Sequence, residues 1–184
     1  MIDHCYGVFL GDLKYSRLET YKKWRNNPLI RNWCRQTGIL TDQHQEEWFE
    51  KIHKDPTIQM FEIVAEVKFK LQPDTFQQSV GVCGLTSIDR QNRSAEFSLY
   101  ISPNEMGKGY GEKALKTLLH YGFSDMGLNR IWGETFDGNP ALALFHKLGM
   151  VTEGTLRQTY FKKGRFIDSH IVSMLSQEFF NLQQ

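Results

Sequence analysis

Three glycines alternate with single residues at Gly107, Gly109 and Gly111, between an apolar segment and an amphipathic one. Glycine has no side chain to hold a ligand away from the backbone. Apolar residues then recur at helical spacing, so the glycines lie at a helix N-terminus, where free N–H groups and the positive end of the helix dipole attract anions. The sequence therefore predicts a phosphate or pyrophosphate site that is built from backbone.

The glycine spacing separates the kinds of phosphate-binding loop. A P-loop requires Gly-x-x-x-x-Gly-Lys-Ser/Thr, which this sequence lacks. A dinucleotide fingerprint would need a third glycine at Glu112. The pattern instead resembles the acetyl-CoA loop of the GCN5-related N-acetyltransferases (GNAT), Gln/Arg-x-x-Gly-x-Gly/Ala, which falls on residues 106–111. Met106 departs from it, because the family has a polar side chain at that position.

The GNAT resemblance implies that acetyl-CoA binds along this loop and the strand before it. Backbone N–H groups near Tyr100 and Ile101 would hold the acetyl oxygen and the pantetheine arm. The residues that the resemblance assigns to the cofactor are Leu99, Tyr100, Ile101, Met106, Gly107, Lys108, Gly109, Tyr110, Gly111, Glu112, Asn139 and Phe145.

A second segment resembles the other GNAT motif, a strand followed by Asn-x-Ala and a helix. Residues 130–136 have the β-branched and aromatic composition of a strand. Asn139 suits a helix N-cap, Pro140 the first helical position and Gly149 the left-handed residue after the helix. By resemblance, Asn139 also bonds the pantetheine arm; the alternative is that it only caps the helix. With this motif the resemblance covers roughly residues 60–175.

The implied reaction is acyl transfer from a thioester to an amine, which needs a base for the amine and an acid for the thiolate. A glutamate at the position of Glu134 serves as base in several GNAT enzymes, and Glu96 on a neighbouring strand could share or replace that role. The alternative for Glu134 is a solvated carboxylate. The family often has a tyrosine acid where this chain has Phe145, which cannot donate a proton. Tyr160, His146 or water could take its place, or the thiolate could leave unassisted.

The acceptor pocket is expected between the first two helices and the C-terminal hairpin. Residues 24–48 resemble N-acetyltransferases of nucleotide-linked aminosugars, as in the pseudaminic-acid pathway, and residues 153–168 resemble both these and ribosomal-protein N-terminal acetyltransferases. The aminosugar reading uses cationic and aromatic side chains, which would bind nucleotide phosphates and stack on a ring. These are Arg25, Arg31, Arg35, Trp33 and His44.

For any one of these side chains the alternative is a solvated helix face or the core. We expect an aminosugar acceptor first and a protein N-terminus second. The alternative hypothesis from another functional class is a module that binds acyl-CoA but catalyses no reaction. Release of thiol in the presence of amines separates it from an enzyme.

Composition and cysteine pattern narrow the remaining classes. A net charge of +1 provides no broad basic field, so neither nucleic acid nor a membrane is an expected partner. Cys5, Cys34 and Cys83 are odd in number and widely spaced, which favours a reducing cytoplasm over a disulfide framework. The sequence has no metal-binding cluster and no Gly-x-Ser-x-Gly nucleophile motif. We therefore expect a cytoplasmic monomer or homodimer that uses acetyl-CoA, a small-molecule amine and no metal.

The elements that must position these residues indicate an α/β (α+β) fold. Its expected form is the GNAT fold, a central mixed, mainly antiparallel sheet that is splayed at the acetyl-CoA site and flanked by helices. Helices are predicted after a capping box at Ser16, after Thr41, behind the glycine loop and after Asn139. The predicted strands are 8–10, 61–69, 80–88, 95–101, 130–136, 155–160 and 165–175.

One domain of 184 residues is expected, divided into three parts. Residues 1–58 would supply the acceptor-side helices, residues 59–150 the acetyl-CoA core and residues 151–184 the C-terminal hairpin.

Overall fold

A single seven-stranded sheet forms the centre of the protein in the computed structural model, which describes residues 2, 6–68 and 75–183. Its strand order is β1-β2-β3-β4-β5-β7-β6. Every neighbouring pair is antiparallel except β4 and β5, so the expectation of a mixed, mainly antiparallel sheet is confirmed. The strands are β1 (Phe9–Asp12), β2 (Gln59–Lys68), β3 (Thr75–Asp89), β4 (Ser94–Ile101), β5 (Arg130–Phe136), β6 (Val151–Lys162) and β7 (Arg165–Leu175).

Helices cover both faces of the sheet. They are α1 (Leu18–Asn26), α2 (Pro28–Arg31), α3 (Asp42–Lys54), α4 (Tyr110–His120), α5 (Ala141–Lys147) and α6 (Ser176–Asn181). Side chains alternate across a strand, so β4 contributes to two cores. Phe97 packs with α4 and α5 in the larger core, and Tyr100 packs with α1 and α2 in the smaller one.

The sheet opens between β4 and β5. These strands pair over only three residues each, and the last pair is Glu96 with Trp132. Beyond it, β4 stays paired with β3 and β5 with β7. The ring of Phe97 fills the point of separation, because a Cβ on Gly133 would lie 2.4 Å from a carbon of that ring. The two strands therefore diverge into a wedge, which agrees with the predicted splayed sheet.

Several predicted boundaries were wrong. Ser16 does not cap a helix: it lies inside a 3₁₀ turn that the N–H of Arg17 closes on the carbonyl of Lys14, and α1 begins at Leu18 without a side-chain cap. The short helices α2 and α6 were missed, and β6 begins four residues before its predicted start. Phe69, the predicted end of β2, lies outside the described residues.

The described cysteines, Cys34 and Cys83, are free thiols, and Cys5 lies outside the described residues. No helix within the described ranges is long and apolar enough to cross a membrane.

Thr41 caps α3 as predicted, and the cap is reciprocal. Thr41 Oγ1 accepts the N–H of His44 at 3.3 Å, and His44 Nδ1 accepts the N–H of Thr41 at 3.1 Å. A capping box of this kind satisfies two otherwise free N–H groups at the helix start. His44 was predicted to bind the acceptor, but its Nδ1 is already bonded to the backbone of the helix cap.

We expect Thr41→Ala to lower the free energy of unfolding by about 1 kcal/mol, because the helix loses its cap. His44→Gln should retain most of the stability, since glutamine can accept the same N–H bond. Urea denaturation measures both changes. The control is Thr37→Ala at an exposed position outside the cap; an equal loss in that variant would contradict the capping role.

Candidate active site

The glycine loop presents backbone to solvent at the start of α4. Gly107 and Gly109 have φ angles of +76° and +81°, in the left-handed region that favours glycine, and Gly109 is the N-cap of the helix. No side chain caps the helix, so its first N–H groups remain available to a ligand. A Cβ at either glycine would meet nothing within 4 Å. This geometry suits an anion held by N–H groups, as predicted for a pyrophosphate.

Gly111 serves a different purpose. Its φ is not in the left-handed region, and a Cβ there would lie 3.6 Å from both Ile101 Cγ1 and Leu144 Cδ2. Those are ordinary van der Waals distances. Gly111 thus lies where α4 passes β4 and α5, and an alanine would fit.

Charged side chains around the loop are paired. Lys108 Nζ lies 2.9 Å from Glu105 Oε2, while Glu112 accepts bonds from Lys147 at 2.5 Å and Lys116 at 3.1 Å. The hydrogen bonds from Lys147 and then Lys116 lower the pKa of Glu112. The two lysines offset its negative charge beside the expected pyrophosphate site. Met106 is 40% exposed and does not belong to the core.

Two carboxylates meet at the wedge. Glu96 on β4 and Glu134 on β5 have side chains only 8% and 9% exposed. Arg35 connects them: its Nη2 pairs with Glu96 Oε1, and its Nη1 lies 3.8 Å from Glu134 Oε2. Burial alone would lower the pKa of Arg35, but Glu96, followed by Tyr160 and Glu134, outweighs burial and raises it. A fully charged guanidinium therefore compensates part of this buried negative charge.

Tyr160 and Ser169 hold the Glu134 carboxylate from the C-terminal hairpin. The Tyr160 hydroxyl donates to Glu134 Oε2 at 3.0 Å, and Ser169 Oγ donates to Glu134 Oε1 at 2.5 Å. Burial raises the pKa of Tyr160, and its bond to the carboxylate raises it further. The phenol consequently stays protonated at neutral pH and can act as a proton donor.

The structure thus brings the three predicted catalytic residues, Glu134, Glu96 and Tyr160, into one cluster. Sequence reasoning missed Ser169, and it assigned Arg35 to phosphate binding instead of to the carboxylates. Neither residue belongs to a local sequence pattern that would indicate its place in this cluster. Ser169 lies opposite Phe136 in the register of β5 and β7, which only the strand pairing reveals.

Other residues assigned to the cofactor have structural contacts of their own. Asn139 Oδ1 accepts the N–H of Ala141 at 3.0 Å, but the N-cap of α5 is Pro140, so the prediction of Asn139 as N-cap and Pro140 as first helical residue was wrong by one position. Phe145 is buried with its ring edge-to-face against Phe97, at a centroid distance of 5.1 Å. The Tyr100 side chain points into the core beside α1, which leaves only its backbone for a ligand. Their roles toward acetyl-CoA remain predictions.

The residues proposed for the acceptor are dispersed. The Arg25 guanidinium lies 5.5 Å from the centroid of the Tyr100 ring, and Trp33 is 39% exposed. Arg31 contributes its carbonyl to a lysine of β6. Only Arg35 reaches the carboxylate cluster, and it binds carboxylates there.

No group of three or more histidine, cysteine, aspartate or glutamate side chains within the described residues could hold a metal ion. His146, the other residue considered as an acid, bonds Thr152 Oγ1 through its Nε2 at 2.8 Å. The described chemistry is therefore that of carboxylates, a phenol and backbone N–H groups.

Comparison with known proteins identifies the family to which this fold belongs. Residues 9–151 match the acetyltransferase (GNAT) domain family. An uncharacterized N-acetyltransferase, p20 of Bacillus licheniformis, is 34% identical over 61% of this chain and 64% of its own length. The spermidine N(1)-acetyltransferase of Vibrio cholerae is 27% identical over 93% of this chain and 91% of its own length.

A solved structure extends the agreement to nearly the whole chain. The spermidine N-acetyltransferase of Vibrio cholerae in complex with CoA and spermine superposes with a TM-score of 0.83 at 26% identity, over 95% of this chain and 99% of that one. None of these three relatives is named for an aminosugar or a ribosomal protein, so the comparisons support the GNAT resemblance and not its narrower forms. The chain belongs to the GNAT acetyltransferase family and is a CoA-dependent N-acetyltransferase.

Proposed function

We propose that this enzyme acetylates the primary amine of a small cationic alkylamine, with spermidine as the first acceptor to test. The observation that carries the proposal is the buried cluster of Glu96, Glu134 and Tyr160 at the wedge between β4 and β5. Buried carboxylates favour a cationic group over a neutral or anionic one. The relatives named for spermidine add support.

In the proposed reaction, Glu134 accepts a proton from the attacking amine, directly or through a water. Tyr160 and Ser169 fix its carboxylate by two hydrogen bonds, which orients it as a base. Both substrates would bind together, and their alignment in the wedge would supply a large part of the acceleration. Backbone N–H groups of β4, where it leaves β5, would stabilise the developing oxyanion.

Tyr160 supplies the proton for the leaving group in this scheme. The amine nitrogen forms a bond to the acetyl carbon, the carbon–sulfur bond breaks, and the thiolate takes the phenolic proton. Tyr160 then takes up the proton that Glu134 received from the amine, across their hydrogen bond, so that both groups return to their starting states. This assignment accounts for the phenylalanine at position 145, because the proton donor comes from β6 instead of α5.

An aminosugar or a protein N-terminus is a weaker candidate. The aminosugar reading required arginines that converge on phosphates, yet Arg35 is engaged by two carboxylates and Arg25 lies against Tyr100. For a protein N-terminus, the support is the sequence resemblance in residues 153–168 alone.

Thiol release from acetyl-CoA tests these acceptors. The panel contains spermidine, an aminosugar and a peptide with a free N-terminus, and calorimetry measures acetyl-CoA binding in parallel. We expect the highest kcat/KM with spermidine. Binding of acetyl-CoA without thiol release for any amine would favour a non-catalytic module, and a preference for the aminosugar or the peptide would overturn the alkylamine assignment.

We expect Gly109→Ala to weaken acetyl-CoA binding by about ten-fold. An alanine at this left-handed position costs roughly 1–2 kcal/mol, and the loop relieves the strain by turning N–H groups away from the phosphate site. Calorimetric titration with CoA measures the affinity.

Gly111→Ala is the matched control, because its Cβ fits at ordinary contact distances and its φ needs no glycine. Its affinity and stability should stay near those of the wild type. Equal affinities for CoA in the two variants would show that the left-handed backbone at Gly109 is not needed for binding.

A further inference from the structure

The segment that carries Arg35 is held in place by hydrogen bonds at several points. This segment, residues 32–41, joins α2 to α3 and is called the acceptor loop below. Asn26 of α1 bonds both backbone groups of Leu40, with its Nδ2 at 2.9 Å from the carbonyl and its Oδ1 at 2.8 Å from the N–H. Gln36 Nε2 donates to Asn26 Oδ1 at 3.1 Å and to the Gly38 carbonyl at 2.6 Å. The loop is therefore tied to α1 on the side that follows Arg35.

Lys162 of β6 holds the part of the chain that precedes Arg35. Its Nζ donates to the carbonyls of Arg31 at 3.3 Å, Asn32 at 3.4 Å and Cys34, and it lies 4.6 Å from the centre of the Phe136 ring. Burial lowers the pKa of Lys162, so this ammonium is placed at an energetic cost. The three carbonyls compensate it and determine where the next residue, Arg35, projects.

The fastened loop makes Arg35 a fixed part of the acceptor site. Two carboxylates and one guanidinium leave a single net negative charge, which one ammonium can neutralise. The guanidinium also bridges Glu96 and Glu134, so the charge of Glu96 is already paired and is not free to attract a second ammonium.

We propose that Arg35 is a specificity-determining residue that leaves the carboxylate cluster with charge for one ammonium group, so that the other ammonium groups of a polyamine such as spermidine would lie outside the cluster. The acceptor loop, held by Asn26, Gln36 and Lys162, keeps the guanidinium between the carboxylates. The single negative charge that remains attracts the reacting ammonium, and no further negative charge of the cluster attracts a second ammonium. This inference rests on the proposed function, since it assumes that the cluster receives the amine.

The test compares 1,4-diaminobutane with butylamine, which share a four-carbon chain and differ by one ammonium. Binding of each amine to the CoA complex is measured by calorimetry, and kcat/KM by thiol release. In Arg35→Gln the freed Glu96 carboxylate attracts the second ammonium. The preference for the diamine over the monoamine should therefore rise by about ten-fold, as expected for one added, partly exposed charge pair.

Charge variants separate this role from a structural one. Arg35→Lys keeps the charge and should keep the wild-type preference. Glu96→Gln combined with Arg35→Gln restores one net negative charge and should return the preference toward the wild-type value. Lys23→Gln removes an exposed positive charge on α1 and should leave the preference unchanged.

An unchanged diamine preference in Arg35→Gln would overturn the proposal, as would an equal rise in Lys23→Gln. If the wild type binds both amines but acetylates neither them nor spermidine, the proposed function is wrong, while the binding ratios still decide the role of Arg35. If Arg35→Gln does not fold, Glu96→Gln alone decides: it leaves no net charge, so both amines should bind more weakly. Unchanged binding of both amines would then refute the charge argument.

Discussion

Glu134→Gln is expected to lower kcat/KM for a primary alkylamine by about 10²–10³-fold at pH 7. An alkylammonium with a pKa near 10.4 is neutral in only about 0.04% of molecules at this pH, so a positioned base contributes most of its possible effect. Glutamine preserves the shape of the side chain, but its single carbonyl oxygen can keep only one of the bonds that Tyr160 and Ser169 donate to the two carboxylate oxygens, and it cannot take the proton.

The deficit should shrink as pH rises toward the pKa of the amine, because solvent then supplies the neutral form. Profiles of kcat/KM against pH for wild type and variant measure this convergence. Glu66→Gln, at an exposed position on β2, is the matched control and should follow the wild type. Superimposable profiles for Glu134→Gln would transfer the role to Glu96, and a constant deficit would make Glu134 a positioning carboxylate.

Tyr160→Phe is expected to lower kcat by about 10²-fold, because the thiolate loses its proton donor and Glu134 loses one of its two hydrogen bonds. The ring itself should stay in place, since it packs against Phe136 at a centroid distance of 4.8 Å. Binding of acetyl-CoA should therefore change little.

The pH dependence gives a second check on Tyr160. Its pKa is raised above the ordinary tyrosine value, first by burial and then by Glu134, so the phenol ionises at a higher pH than an exposed tyrosine. The wild-type kcat should therefore show no decline from tyrosine ionisation near neutral pH. A kcat of Tyr160→Phe equal to that of the control Tyr15→Phe, which alters an exposed tyrosine, would show that water or no group protonates the thiolate.

The conformation of the glycine loop could be predicted from sequence because its determinants are local. The positive φ angles at Gly107 and Gly109 belong to the backbone of a contiguous segment, and the N-terminus of α4 follows directly. Gly149 was likewise expected in a left-handed conformation, and its φ is +90°. Thr41 could be assigned as a cap for the same reason, since its bonding partner is three residues away.

Predictions from local sequence patterns were wrong where a contact with a distant segment of the chain determined the conformation. Ser16 has the spacing of a capping box, yet a 3₁₀ turn forms there, and Arg17 pairs with the buried Glu62 of β2 at 3.2 Å. The long exposed strand β6 has little of the apolar alternation that identifies a half-buried strand, and it is held by its pairing with β7.

The sequence by itself determined the glycine loop, the wedge-forming strands and the carboxylates on them, because each depends on the residue types and spacing of one segment. Only the tertiary structure decided that Arg35 lies between Glu96 and Glu134, 61 residues away from the first of them, and that Tyr160 bonds Glu134 across 26 residues. The position of a charged side chain depends on the loop that carries it and on the buried partner that compensates its desolvation. Neither is encoded in the periodicity of its own segment, so the arrangement of the carboxylate cluster followed from the fold.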